Sequence, residues 1–90
     1  MEKVTVTVVN AVGLHARPAS LLTKLIKDFD CDIDVYKNEN DSKRYQPKSI
    51  LSIMAMGAMK GDKLTFEVKG KDEKEAARAI EDFIRNGCGE

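Results

Sequence analysis

The sequence has no charge excess, few cysteines and one histidine. Fifteen basic residues balance fifteen acidic ones over 90 positions, which excludes binding to nucleic acid or a membrane surface through bulk charge. No apolar run in the chain approaches the ~20 residues that span a bilayer, so no membrane insertion is expected. The first residues enter a strand-like pattern at once, and no signal peptide is expected either. Cys31 and Cys88 lie far apart without CxxC spacing; they read as thiols of a reducing cytoplasm rather than as a disulfide. With one histidine and no second cluster of ligands at a familiar spacing, no metal is expected. Glu39 and Asp41 lack EF-hand spacing and read as solvated turn residues. A catalytic triad lacks both an identifiable acid partner and a strand–nucleophile–helix elbow.

What is present suffices for one domain, residues 1–90, with one modest core. The apolar share of 42% is that of a globular chain rather than a disordered one. Such a chain offers a surface more readily than a deep catalytic pocket.

Val4, Val6 and Val8 alternate with Lys3, Thr5 and Thr7, as in a strand with one wet face. The stretch Asn10 to Gly13 breaks that pattern. Leu22, Leu25, Ile26 and Phe29 then recur at helical spacing. Alternation returns at Cys31, Ile33 and Val35, with Asp32, Asp34 and Tyr36 on the opposite face. The polar stretch KNENDSK reads as a hairpin loop leading to a short strand near Lys43–Gln46, which Pro47 ends. In the segment SILSIMAMG, Ser49 stands as N-cap and Gly57 near the C-terminal end. Leu64, Phe66 and Val68 mark a fourth strand. A last helix opens with Asp72 and Glu75 as a capping-box-like pair, carries Ala76, Ile80, Phe83 and Ile84 on one stripe, and stops at Gly87. The order βαββαβα with half-polar strands predicts an α+β fold, with an antiparallel sheet covered by helices on one face only.

His15 lies in GLHARPAS, between a glycine and an Arg-Pro pair, at a plausible helix N-cap. There, unbonded backbone N–H groups and the positive end of the helix dipole favour a phosphate. Arg17 adds a cation suited to phosphate oxygens, and Pro18 stiffens the first turn. An imidazole of ordinary pKa, ~6.5, is largely neutral at cytoplasmic pH and available as a nucleophile. Position and neighbours alone leave two readings open: a place to hold a phosphoryl group, or a surface histidine that caps a helix.

GLHARPA resembles the phosphorylation-site signature of HPr, the histidine-containing phosphocarrier of the bacterial sugar phosphotransferase system. KSILSIMAMG, Lys48 to Gly57, is similar to the family's second signature, around its regulatory serine. The resemblance runs essentially end to end. It implies the HPr open-faced β-sandwich, a four-stranded antiparallel sheet covered on one face by three helices. It also implies a cytoplasmic carrier, itself no enzyme and a monomer without cofactor. His15 would be phosphorylated by enzyme I at the expense of phosphoenolpyruvate, assisted by Arg17, and would pass the group to enzyme IIA domains.

For Ser49, an ordinary cap is worth ~1 kcal/mol. Members from Gram-positive and related bacteria, which Ala16 also resembles, imply a further role: phosphorylation by an HPr kinase and binding to a catabolite-control transcription regulator. Phosphate at a helix N-terminus is compatible with the helix. Ile50, Ile53 and Met56 are expected to face the sheet, leaving Leu51 and Met54 on another side. These two are either core or an exposed docking patch; the resemblance favours docking, with Pro18 and Ser20 as further partner contacts. Two departures from the family, the longer loop Asn38–Ser42 and Pro47 in place of an apolar residue, alter the approach to Ser49. The alternatives to a sugar-system carrier are a regulatory carrier of a non-sugar branch and an interaction module acting through phosphorylated Ser49. Only a carrier requires His15.

Overall fold

A computed structural model describes residues 1–89. The elements are β1 (Glu2–Thr7), α1 (Ala16–Ile26), β2 (Cys31–Lys37), α2 (Ile50–Met56), β3 (Lys63–Gly70) and α3 (Glu73–Arg85). β3 is the central strand of an antiparallel sheet ordered β1-β3-β2. Val4 stands opposite Phe66, and Ile33 opposite Val68. Val6, Ile33, Val35, Leu64, Phe66 and Val68 all point to the helical side and are buried there with Leu22, Ile26, Ile80 and Ile84. A slip of one residue would turn Phe66 to the wet face, so the apolar alternation fixes the register.

The expected fourth strand is a correction: among the described residues the sheet has three. Residues near Lys43–Gln46 contribute a single bridge, in which Val35 and Tyr45 exchange two backbone bonds of 2.8 and 3.0 Å. The ladder stops because its neighbours are engaged elsewhere. Gln46 N–H donates to Ser52 Oγ at 2.8 Å, and Pro47 has no N–H to give. The hairpin before it turns at Asn38 and Glu39, both at positive φ (51° and 63°), with Asn40 N–H donating to Lys37 O at 3.0 Å. Two successive left-handed residues make the type I′ turn that suits strand twist.

The loop after this turn also changes the face expected to be open. Arg44 folds back over the Tyr36 ring, 5.0 Å from its centroid, and its guanidinium reaches Glu67 Oε1 at 2.6 Å. Tyr36, placed by its alternation on the wet face, is only 6% exposed. The bond to Arg44 holds the Glu67 carboxyl below its ordinary pKa and raises that of Arg44.

The start of α3 departs from a capping box. Asp72 Oδ2 accepts from Asp30 N–H at 2.8 Å, stitching the α1–β2 connection to the helix. Glu73, rather than Glu75, serves the turn: it pairs with the Met1 amino group and accepts from Gly70 N–H at 3.1 Å. Those two partners hold its carboxyl below the ordinary range.

Candidate functional site

His15 is the N-cap of α1, in extended backbone, and its carbonyl accepts from Ala19 N–H at 2.9 Å. Ala16 and Arg17 precede that first bonded amide, and Pro18 has no N–H. Among the described residues, two backbone donors therefore remain for an anion at this helix start. No acidic residue stands in the first turn to compete for them. His15 and Arg17 are exposed, and Arg17 enters none of the ion pairs among the described residues. Pro18 is a correction: it is buried against the core, because the first turn of α1 faces inward on that side. It shapes the turn and has no surface to offer a partner. Ser20 is exposed.

The turn that delivers His15 requires Gly13. Its φ is +68°, and a Cβ there would lie 2.3 Å from Ala58 O. Leu14 N–H donates to that same carbonyl at 2.9 Å, so the residues before His15 lie directly on the chain leaving α2.

Ser49 is the N-cap of α2, its Oγ accepting from Ser52 N–H at 3.2 Å, and Gly57 closes the helix in the left-handed conformation. Ile53 and Met56 are buried, but Ile50 is 39% exposed rather than turned to the sheet. The reason is that α2, only seven residues long, packs chiefly on α1 and projects its first turn outward. Leu51 is 81% exposed and Met54 45%. Met54 joins His15 in lining one shallow depression of ≈ 210 Å³, completed by Val12, Leu14, Ala58 and Met59. Val12 and Met59 are missing from the sequence reading. Their signal was present, since each is an apolar residue in a glycine-bounded turn outside any strand or helix stripe.

The turn carrying Met59 is pinned by Asp62, which accepts from Met59 N–H at 2.8 Å and from Asn38 Nδ2 at 3.1 Å. These two bonds hold the Asp62 carboxyl below its ordinary range. No group of three or more His, Cys, Asp or Glu residues is placed to hold a metal ion among the described residues. Cys31 and Cys88 are both buried, without a disulfide between them, and burial raises the pKa of the Cys31 thiol. No described helix is long and apolar enough to cross a membrane.

Fold and site together define an α+β unit that presents one imidazole at a helix start beside an apolar surface. The family described as the PTS HPr component phosphorylation site matches residues 2–86. The phosphocarrier protein HPr of Neisseria meningitidis (strain MC58) is 37% identical over 90 residues, covering 100% of this chain and 98% of that protein. The multiphosphoryl transfer protein of Escherichia coli O157:H7 is 40% identical over 81 residues; the match takes 90% of this chain but only 22% of that protein's length. Among solved structures, HPr-C-His from Thermoanaerobacter tengcongensis superposes with a TM-score of 0.89 at 39% identity, covering 100% of this chain and 98% of that one. The chain belongs to the HPr family of phosphocarriers of the phosphotransferase system.

Proposed function

We propose that this protein accepts a phosphoryl group on His15 from enzyme I, at the expense of phosphoenolpyruvate, and passes it to enzyme IIA domains in sugar uptake. The observation that carries this reading is the exposed imidazole at the start of α1, beside two backbone N–H groups without a hydrogen bond among the described residues. An imidazole nitrogen attacks phosphorus, the bond from phosphorus to the donor breaks, and the new N–P bond is later broken by the acceptor's nucleophile. Arg17 offsets the charge of the phosphoryl oxygens. The carrier acts stoichiometrically, as a cytoplasmic monomer, with catalysis shared by its partners. They dock on Leu51 and Met54, with Ser20 at the margin and Val12 and Met59 extending the surface.

Ser49 is the regulatory position in this reading. A phosphate there sits at a helix N-terminus, beside the docking surface, and is a substrate feature for an HPr kinase and for a catabolite-control regulator. Incubation with enzyme I and phosphoenolpyruvate, read by intact mass, tests the carrier. One acid-labile phosphoryl group should appear on the parent chain and none on the His15→Ala variant. A labile group on that variant would remove His15 from the mechanism.

A further inference from the structure

Asn10 opens the turn that delivers His15, and it is buried. Its Nδ2 donates to Gly13 O at 2.6 Å, while Gly13 N–H donates to Asn10 O at 3.2 Å. The same two residues are thus joined twice, once by side chain and once by backbone. Asn10 Oδ1 is buried and has no hydrogen-bond partner among the described residues. As a source of stability this arrangement is poor, because the net gain from one hydrogen bond does not exceed the cost of burying an unpaired carbonyl.

The bond has a more specific consequence. Gly13 O and Leu14 N–H are the two ends of one peptide unit. Asn10 holds the oxygen end, and Ala58 O accepts from the N–H end at 2.9 Å. A planar unit fixed at both ends cannot rotate about its flanking bonds. Gly13, lacking a Cβ and at φ +68°, otherwise gives this unit the widest freedom in the turn. His15 follows one residue later, so rotation of this unit would swing the backbone that carries the imidazole. The N–H anchor belongs to the chain leaving α2, so the same lock sets the imidazole relative to Met54 and Met59.

We propose that Asn10 is a positioning residue for phosphoryl transfer: its amide locks the Gly13–Leu14 peptide and thereby fixes the His15 imidazole against the docking surface. The inference rests on the reading of His15 as phosphoryl acceptor. Transfer between two macromolecules needs the reacting atoms aligned within a fraction of an ångström, and a misplacement of about 1 Å costs up to about a hundredfold in rate.

Steady-state kinetics with enzyme I test it, using the parent chain and the Asn10→Ala and Asn10→Asp variants. The carboxylate of the second is nearly isosteric but has no proton to donate to Gly13 O. Because this protein is the substrate in the assay, unfolding of a fraction of it raises KM and leaves kcat untouched, whereas a misaligned imidazole lowers kcat. Both variants should show kcat reduced by about ten- to a hundredfold with KM nearly unchanged. Hydrogen exchange on the same samples should quicken at Leu14 N–H and stay as in the parent along β3. Parent-like kcat, a rise in KM alone, or unchanged Leu14 exchange would each overturn the proposal. A parent chain that takes up no phosphoryl group overturns the acceptor reading and this inference with it. A phosphorylated parent beside variants of equal kcat overturns this inference alone.

Discussion

Thr23 Oγ1 donates to Pro47 O at 3.1 Å, inside the protein. The helix that starts at His15 is thereby bonded to the segment that runs into Ser49. Pro47 brings a carbonyl and no N–H, and it is buried beside Thr23. Thr23→Val keeps the shape and removes the hydroxyl that donates to this carbonyl. The cost should be about 1–3 kcal/mol, the penalty of an unsatisfied buried acceptor. Urea unfolding measures it, and a midpoint equal to the parent's would show that the bond contributes nothing. Phosphorylation of the folded variant at His15 should be unaffected.

Gly13 and Gly57 both adopt left-handed backbone, at φ +68° and +64°, but only one of them is crowded. A Cβ at Gly57 meets nothing within 4 Å, whereas one at Gly13 falls 2.3 Å from Ala58 O. Gly57→Ala should therefore cost only the conformational strain, about 1 kcal/mol. Gly13→Ala adds a clash with backbone that can be relieved only by moving the α2–β3 connection. It should cost several times as much in thermal unfolding, and equal costs would contradict the packing of the two turns.

Asp62 makes the Met59 turn sensitive to acid. Its carboxylate accepts from Met59 N–H and Asn38 Nδ2, which lowers its pKa in the folded protein. A lowered folded value means that the contribution to stability is complete above the unfolded pKa, ~3.9, and is lost as pH falls through the folded one. The Met59 amide proton shift should titrate with a midpoint below ~3.9, and the same resonance in Asp62→Asn should not titrate there. A midpoint above the ordinary aspartate value would reverse the sign and refute the account.

The sequence and the structure agree most closely where a local signal and burial coincide. The strands that carry Val4 and Val6 and Leu64 to Val68, the Ser49 cap and the Gly57 stop depend on short-range geometry and are found as expected, except that Thr65, on the face expected to be wet, is buried beside Tyr36. The strand expected near Tyr45 required knowing that Gln46 N–H goes to Ser52 Oγ, a bond across six residues that no propensity encodes. Tyr36 misled by its alternation, because the Arg44 that covers it arrives from a loop. At the site, His15 and its helix start were legible. The peptide lock of Asn10 was not, since it depends on Ala58, 48 positions away in the chain.

The surface beside His15 separates from the core within a single helical turn of α2, and that contrast supplies a test. Leu51 is 81% exposed while Ile53, two residues on, is 0% exposed. Ile53→Ala should cost about 2–5 kcal/mol, as truncation in a closed core does. Leu51→Ala should change stability by no more than about 0.5 kcal/mol. If Leu51 and Met54 carry docking, Leu51→Ala and Met54→Ala should raise KM for enzyme I and leave kcat in place. Ser49→Asp reaches the same readout by a different route. A carboxylate at the N-cap of α2 is favoured by the helix dipole, so the thermal midpoint should stay near the parent's. The added charge lies at the rim of the patch, and like charge brought against an acidic partner can cost several kcal/mol. One aspartate carries less charge than a phosphate, so its effect on KM should be smaller than that of phosphorylated Ser49 and should weaken as salt is added. Met54→Ala, which loses apolar contact, should show no such salt dependence. His15 phosphorylation rate measured against the concentration of the parent, Met54→Ala and Ser49→Asp chains, at low and high salt, distinguishes these routes. Superimposable curves would mean that α2 presents no docking surface and that Ser49 serves only as its cap.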